Sequence, residues 1–345
     1  MRKLLAPFSL IYALVVAVRN VLFARGMLKR AQAGVPVISI GNITTGGTGK
    51  TPCAIAVIEL LLRNGLHPAL VSRGYGRATT GLQIVSTGTG MLVSARDAGD
   101  EPLLIARRFP QMPVVVAEQR IDAARKAVSM GADCIVADDS FQHRYLARNV
   151  DIVMAGDELT GGSHRLLPAG NAREPLGALR RASIVISLSS DEERTRRTLA
   201  AHSRAALFFA DMAAVDVFDP RTGATHPPAS LEGTRVFVVT GIARPERVLK
   251  TVTQSGAVIV DAQAFDDHHW FSDDEIAGIV ARSRAQNAIL LTTEKDWVRV
   301  AESRDSSVVF TETDVRVLRV ALQIRHDSAA FEKLVMMQLR GEILC

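Results

Sequence analysis

The stretch GNITTGGTGKTP (41–52) crowds Gly46, Gly47 and Gly49 against Lys50 and Thr51. Glycines let backbone amides close on an anion, a lysine reaches terminal phosphates, and a threonine hydroxyl can hold Mg²⁺. The flanks supply the elements such chemistry needs. VPVISI (35–40) is an apolar, β-branched run of strand length. TPCAIAVIELLLRNG (51–65) has helical spacing, with Pro52 in its first turn and Gly65 at its end. Strand, glycine-rich turn and helix N-terminus together form a phosphate-binding loop, in which the amides and the positive end of the helix dipole face the anion. The residues expected around the nucleotide are Thr45, Gly46, Gly47, Thr48, Gly49, Lys50, Thr51 and Pro52. One position departs from G-x-x-x-x-G-K-[ST]: Thr44 stands where the pattern has glycine.

Charged clusters elsewhere suit the same chemistry. CIVADDSFQH (134–143) is read as a strand running into Asp138 and Asp139, carboxylates for a hard cation beside the phosphates. In DAGDEP (97–102), Asp100 and Glu101 precede Pro102 and so fall at a helix N-terminus, where they complement the dipole or, for Asp100, take a proton from a hydroxyl. FDDHHWFS (265–272) offers His268 and His269. Adjacent histidines diverge on a regular element, so a two-histidine metal site is disfavoured and one histidine is left to assist acid–base work. Arg73, Arg77, Arg120, Arg165 and Arg173 follow expected strand ends, where guanidinium groups suit phosphate.

Composition sets the frame. A chain of 345 residues, 48% apolar and 5% aromatic, suits two α/β domains better than one. Its three cysteines are too scattered for a disulfide framework or metal knuckle, which indicates a reducing compartment. The formal charge of +5 calls for an anionic partner. Basic and aromatic residues are not interleaved, so nucleic acid is not expected. At the N-terminus, Leu4 to Val18 is almost uninterrupted in apolar residues, preceded by Arg2 and Lys3 and followed by Arg19, Arg25, Lys29 and Arg30. That is short of the ~20 residues a spanning helix needs, and suits a helix lying in a membrane interface among anionic headgroups.

Short apolar runs at 67–77, 113–120, 132–143, 150–156 and 182–190 alternate with helical segments, which predicts a mostly parallel sheet. A strand pair follows residue 205, and a second alternation begins at 234 and ends in a helix over 327–340. The expected division is a membrane-associated segment at 1–30, a P-loop NTPase-like domain at 31–205 and a smaller α/β domain at 206–345. A switch GTPase or metal-chaperone ATPase would carry an N-K-x-D base motif, and TEKD (293–296) does not match it.

GNITTGGTGKTP, SRGYGR, GDEP, AEQR, ADDSFQH, LLPAGNAREP, TGIARPERV, FDDHHWFS and TTEKDWVR stand in one order between residues 41 and 299. Together they resemble the tetraacyldisaccharide 4'-kinase family, which itself carries threonine at the position of Thr44. The resemblance implies phosphorylation, by ATP with Mg²⁺, of the 4'-hydroxyl of an acylated glucosamine disaccharide 1-phosphate. It also implies an enzyme on inner-membrane lipids at the cytoplasmic face, with its site in the cleft between two α/β domains; a monomer is expected, and a base and helper on different domains suggest closure on substrate. By motif, Asp100, His268 and Asp139 become catalytic, with Asp100 the base. Arg73, Arg120, Asp138, Gln142, His143, Arg173 and Glu174 face substrate, and Thr51, Glu101 and Asp138 hold the metal. Ser140 replaces the family's usual glycine, which should perturb the turn after Asp139, because serine tolerates positive φ poorly.

Overall fold

The computed structural model describes residues 5–156, 159, 164–302 and 313–342. The phosphate-binding loop joins β1 (Val37–Asn42) to α2 (Lys50–Arg63). Every residue of β1 is buried, and Cys53, Ala54, Val57, Ile58 and Leu61 of α2 pack beneath it. The first half of the chain adds β2 (Pro68–Ser72), β3 (Gln83–Thr87), β4 (Pro113–Val116), β5 (Cys134–Ala137), β6 (Val150–Ala155) and β7 (Ile184–Ser187). Its helices are α1 (Ala6–Ala24), the single turn α3 (Ala95–Ala98), α4 (Asp100–Arg108), α5 (Arg120–Ser129) and α6 (Glu192–Ala200).

The second half comprises β8 (Ala206–Phe218), β9 (Thr225–His226), β10 (Arg235–Thr240), β11 (Val258–Ala264), β12 (Ile289–Thr293) and β13 (Val315–Ile324). Between and after them lie α7 (Pro245–Gln254), α8 (Asp273–Ala285), α9 (Glu294–Val300) and α10 (Ser328–Leu339). Among the described residues the strands form one sheet in the order β11-β10-β12-β13-β8-β7-β6-β1-β5-β2-β4-β3, with β9 beside β8. Neighbours run parallel except β3–β4, β8–β9 and β8–β13.

The long strand β8 joins the two halves. Its first residues, Ala206–Phe209, pair in parallel with β7, and Ala210–Phe218 pair antiparallel with β13. α10 crosses back, burying Phe331, Leu334, Val335 and Leu339 in the core that also holds α2. The run expected as a strand over 132–143 is shorter: β5 ends at Ala137, and Asp138 and Asp139 begin a turn. The strand expected at 113–120 likewise stops at Val116, and Arg120 opens α5. Cys53 and Cys134 are free, buried thiols, and Cys345 lies outside the described residues.

Candidate active site

Position 49 calls for glycine on backbone grounds, and a side chain there would also displace the tip of Met212. It caps α2 in the left-handed region at φ 85°, and a Cβ there would stand 2.4 Å from Met212 Cε of β8. Within the loop, Asn42 Nδ2 donates to Thr48 Oγ1 at 2.8 Å, Thr45 N donates to Asn171 O at 2.7 Å, and Thr44 bridges to Ala172. Lys50 and Thr51 stand in the first turn of α2, with Pro52 following in the same turn.

Beside this loop the turn 138–144 passes so close to β1 that a Cβ on Gly41 would stand 2.6 Å from Phe141 Cβ. The turn is made by Asp139, which takes φ 43°, while Ser140 has no positive φ. The perturbation expected at Ser140 is therefore absent. Aspartate carries the left-handed conformation, and Ser140 is buried with its hydroxyl donating to Asp138 O at 3.0 Å. Asp139 receives both oxygens' contacts from Arg173 NH1 at 2.9 Å and lies 3.5 Å from Lys50 Nζ. Burial alone would raise its pKa, but Lys50, Arg173 and Arg120 outweigh that and hold it below the ordinary aspartate value.

Asp138 has the opposite fate. It is 1% exposed, its Oδ1 has no hydrogen-bond partner, and burial with the charges of Glu101 and Asp139 pushes its pKa up to about 7. Gln142 Nε2 donates to Asn42 O at 2.7 Å, which ties the turn to the end of β1. His143 is pushed down to about 4 by burial and by Arg120, Arg148 and Arg73, so it is neutral at pH 7. Arg120 is buried, with Nε unpartnered, and Arg73 is exposed nearby. Arg77, by contrast, is occupied by Glu118 at 2.6 Å.

Glu174 does not face this group. It is fully buried, and its carboxylate takes Asn20 Nδ2 and Arg181 NH2 at 2.9 Å each, with Arg19 at 3.7 Å. Its partners in this structure are therefore α1 and Arg181, and the substrate-facing role expected of it rests on the resemblance.

The second half of the chain delivers the imidazole. His268 Nδ1 lies 2.9 Å from Asp100 Oδ2, although 168 residues separate them. Asp100 opens α4, and its Oδ1 accepts the Glu101 N–H at 2.9 Å. Burial opposes ionisation of Asp100, but the hydrogen bond with His268 and the charges of Lys295 and Arg299 prevail, holding its pKa below the ordinary value. His269 turns away to Glu275, 3.0 Å from its Nε2, within the N-terminal cap of α8. The two histidines diverge as their adjacency predicts.

Two residues here were given no role by sequence reasoning. Lys295 Nζ stands 3.4 Å from Glu101 Oε1, 3.4 Å from Asp267 Oδ1 and 3.3 Å from His268 Nε2. Burial works against its charge, yet Glu101, Asp100 and Asp267 keep its pKa above the ordinary lysine value. Arg299 is 1% exposed, pairs with Asp296, donates to Gly241 O at 3.0 Å and comes within 3.7 Å of Asp100 Oδ2. The signal was the TEKDWVR stretch itself, whose Lys295 and Arg299 are four apart and so share one helix face.

A phosphate-binding loop faced by a buried acidic turn and a carboxylate–imidazole pair defines a P-loop phosphotransferase, a kinase acting on an alcohol. The family model described as tetraacyldisaccharide-1-P 4'-kinase matches residues 1–340, and the chain belongs to that family. It is thus an ATP-dependent kinase of lipid A biosynthesis. A tetraacyldisaccharide 4'-kinase of an Anaeromyxobacter species is 40% identical over 92% of this chain and 88% of its own. One from Chlorobaculum parvum is 35% identical over 99% and 96%. The crystal structure of LpxK from Aquifex aeolicus in complex with ATP matches with a TM-score of 0.79 at 28% identity, covering 98% of this chain and 99% of that one.

Proposed function

We propose that this chain moves the γ-phosphate of ATP to the 4'-hydroxyl of a tetraacyldisaccharide 1-phosphate with Asp100 as the proton acceptor. The observation that carries this reading is the Asp100–His268 pair at 2.9 Å, joining the two halves of the molecule. Phosphoryl transfer asks a protein mainly for positioning and charge neutralisation. The loop amides and Lys50 neutralise the β- and γ-phosphate oxygens. The acceptor oxygen forms its bond to phosphorus as the bond from phosphorus to the β,γ-bridging oxygen breaks, releasing ADP. The hydroxyl proton passes to the Asp100 carboxylate, which is ionised at neutral pH. Asp139 holds Arg173 and Lys50 in place at the phosphates. Arg120 and Arg73 form a cationic wall for the acceptor's 1-phosphate, and the unpartnered Nε of Arg120 supports that assignment.

The acidic residues fit Mg²⁺. An orphaned, buried oxygen on Asp138, crowded by the charge of Glu101, is relieved by a hard cation. Asp138, Glu101 and the Thr51 hydroxyl would hold it. When bound, Mg²⁺ supplies positive charge to the transferring phosphoryl group.

The membrane reading rests on α1. Ser9, Tyr12, Val16, Asn20 and Phe23 recur at helical spacing and face the protein. Ser9 Oγ donates to Leu166 O at 3.0 Å, Tyr12 Oη to Arg173 O at 2.9 Å and Asn20 Nδ2 to Glu174 at 2.9 Å. The helix has the length and composition to cross a bilayer, but it is fastened lengthwise to the 166–174 segment. Its other face exposes Phe8, Leu10, Ile11, Leu14, Val15 and Val18. That face suits the acyl boundary of the cytoplasmic leaflet, where an acylated acceptor resides. Replacing Leu10, Leu14 and Val18 by serine should weaken binding to anionic lipid vesicles about 100-fold or more, at ~1 kcal/mol or more per side chain. Transfer to a detergent-dispersed acceptor should persist. Unchanged sedimentation with vesicles would refute the anchoring role, and the substitutions leave the Glu174 contacts in place.

The direct test of the activity is incubation of the purified chain with γ-labelled ATP and the acylated disaccharide 1-phosphate. Label is expected in the lipid product. Full ATP binding with no labelled lipid would overturn the reading.

A further inference from the structure

We infer that Lys295 keeps His268 singly protonated: its ammonium donates to Nε2 and bars a second ring proton there, while Asp100 Oδ2 holds the one ring proton on Nδ1. The inference rests on the proposed role of Asp100 and concerns how that carboxylate is held.

The groups facing His268 admit one arrangement. Asp100 Oδ2 lies 2.9 Å from Nδ1, Lys295 Nζ lies 3.3 Å from Nε2, and Asp267 Oδ2 lies 3.7 Å from Nε2. Arg299 stands behind Asp100, and Glu101 reaches the site through Lys295. The Tyr75 ring, 5.9 Å away, contributes no charge. A lysine ammonium has donors only, and an ionised carboxylate has acceptors only. With the ring proton on Nε2, the Nδ1 lone pair would confront the Asp100 carboxylate at hydrogen-bond distance, while the N–H pointed at Lys295. A doubly protonated ring would set a second N–H and a second positive charge against the same ammonium. Only Nδ1–H with an accepting Nε2 satisfies both contacts, and at 3.7 Å Asp267 is too far to compete for that position.

The surrounding frame keeps Lys295 in place. It is the second residue of α9, which Thr293 caps by accepting the Asp296 N–H at 3.1 Å. Asp296 in turn accepts from Gly241 N at 2.9 Å and Thr240 Oγ1 at 2.8 Å. Gly241 O accepts from Arg299 and, at 3.3 Å, from His268 N. The backbone of His268 and the helix bearing Lys295 therefore hang on one buried pair, and Glu101 and Asp267 steady the ammonium from opposite halves of the chain. With Nε2 occupied, the reaction's proton stops at Asp100. His268 and Lys295 are positioning residues, keeping one carboxylate oxygen tied while the carboxylate faces the acceptor.

The test is ¹⁵N and ¹³C NMR of histidine-labelled full chain, with His268 assigned by loss of its signals in His268→Gln. The wild type should show the Nδ1–H signature. In Lys295→Met the ring should keep Nδ1–H and gain a second proton at Nε2, the imidazolium signature, with kcat falling about 10- to 100-fold, a part of the general-base contribution. KM for ATP should stay within about twofold, because the loop is untouched. Lys295→Arg, also donor-only, should restore the neutral Nδ1–H signature and part of kcat. An Nε2–H or imidazolium signature in the wild type would overturn the inference, as would a ring that stays neutral in Lys295→Met. The parent reading is judged separately by Asp100→Asn. Loss of transfer there beside an unaffected Lys295→Met sinks only the lysine role, and full turnover there sinks the base while the NMR still decides the ring's protonation.

Discussion

Asp100→Asn should lower kcat about 10²- to 10⁴-fold, the range over which a positioned base contributes. ATP binding should change little. Asparagine keeps the shape and its one oxygen can still accept from His268 Nδ1–H, which leaves the amide NH₂ beside the Glu101 N–H that the other carboxylate oxygen accepts in wild type. What disappears is the negative charge able to receive the hydroxyl proton. The buried cations Lys295 and Arg299 then lose one counter-charge, and a modest fall in Tm is expected alongside. Single-turnover transfer from γ-labelled ATP separates chemistry from binding, and calorimetric titration reports nucleotide affinity. A variant with kcat within threefold of wild type would remove Asp100 from the chemistry. A variant that no longer binds ATP would show that its carboxylate supports the loop instead.

Much of this site is legible in the chain because its parts are local. β1, the loop and α2 are contiguous, and each position obeys backbone chemistry that a short window displays: a buried strand, glycines where φ is positive, a proline in a helical first turn. Ser272 with Glu275 likewise announces the capping box that starts α8. The errors come from contacts that no window contains. The strand expected through Asp139 stops at Ala137 because the backbone turns there, closely packed on Gly41 of β1. Ser140 looked strained only while the positive φ was placed one residue too late. The substrate role of Glu174 comes from the resemblance alone, and its contact with α1 is visible only in the fold. The meeting of Asp100 with His268 was reached through family resemblance alone, since the pairing depends on β8 joining the two halves of the sheet. Lys295 and Arg299 were missed for the same reason, as their partners are on distant elements.

Asp138→Asn should act in opposite directions on stability and on transfer. In the protein without metal, Asp138 is a buried carboxylate with one orphaned oxygen, repelled by Glu101 and Asp139 and only partly compensated by Lys50. Its pKa moves from the ordinary 3.8 to about 7, so the folded state binds its proton more tightly than the unfolded chain does. Stability is therefore lost as pH rises between those values, and at pH 8 the cost is fully present, at most about 4 kcal/mol at 1.36 kcal/mol per pH unit. An amide of the same shape carries no charge, and its N–H groups can donate to the neighbouring carboxylates. In EDTA at pH 8 the variant should melt a few degrees above wild type, as expected for a gain of about 1–3 kcal/mol. With Mg²⁺ and ATP the order should reverse, because wild type gains a ligand for the cation and the variant does not. Transfer should fall about 10²-fold or more, the scale of losing one preorganised electrostatic contact at the reacting group. Thermal melts in EDTA and in Mg²⁺·ATP, paired with the label-transfer assay, decide the matter. A variant less stable than wild type in EDTA would mean that Asp138 is a satisfied structural group, and a variant retaining full transfer would place the metal elsewhere.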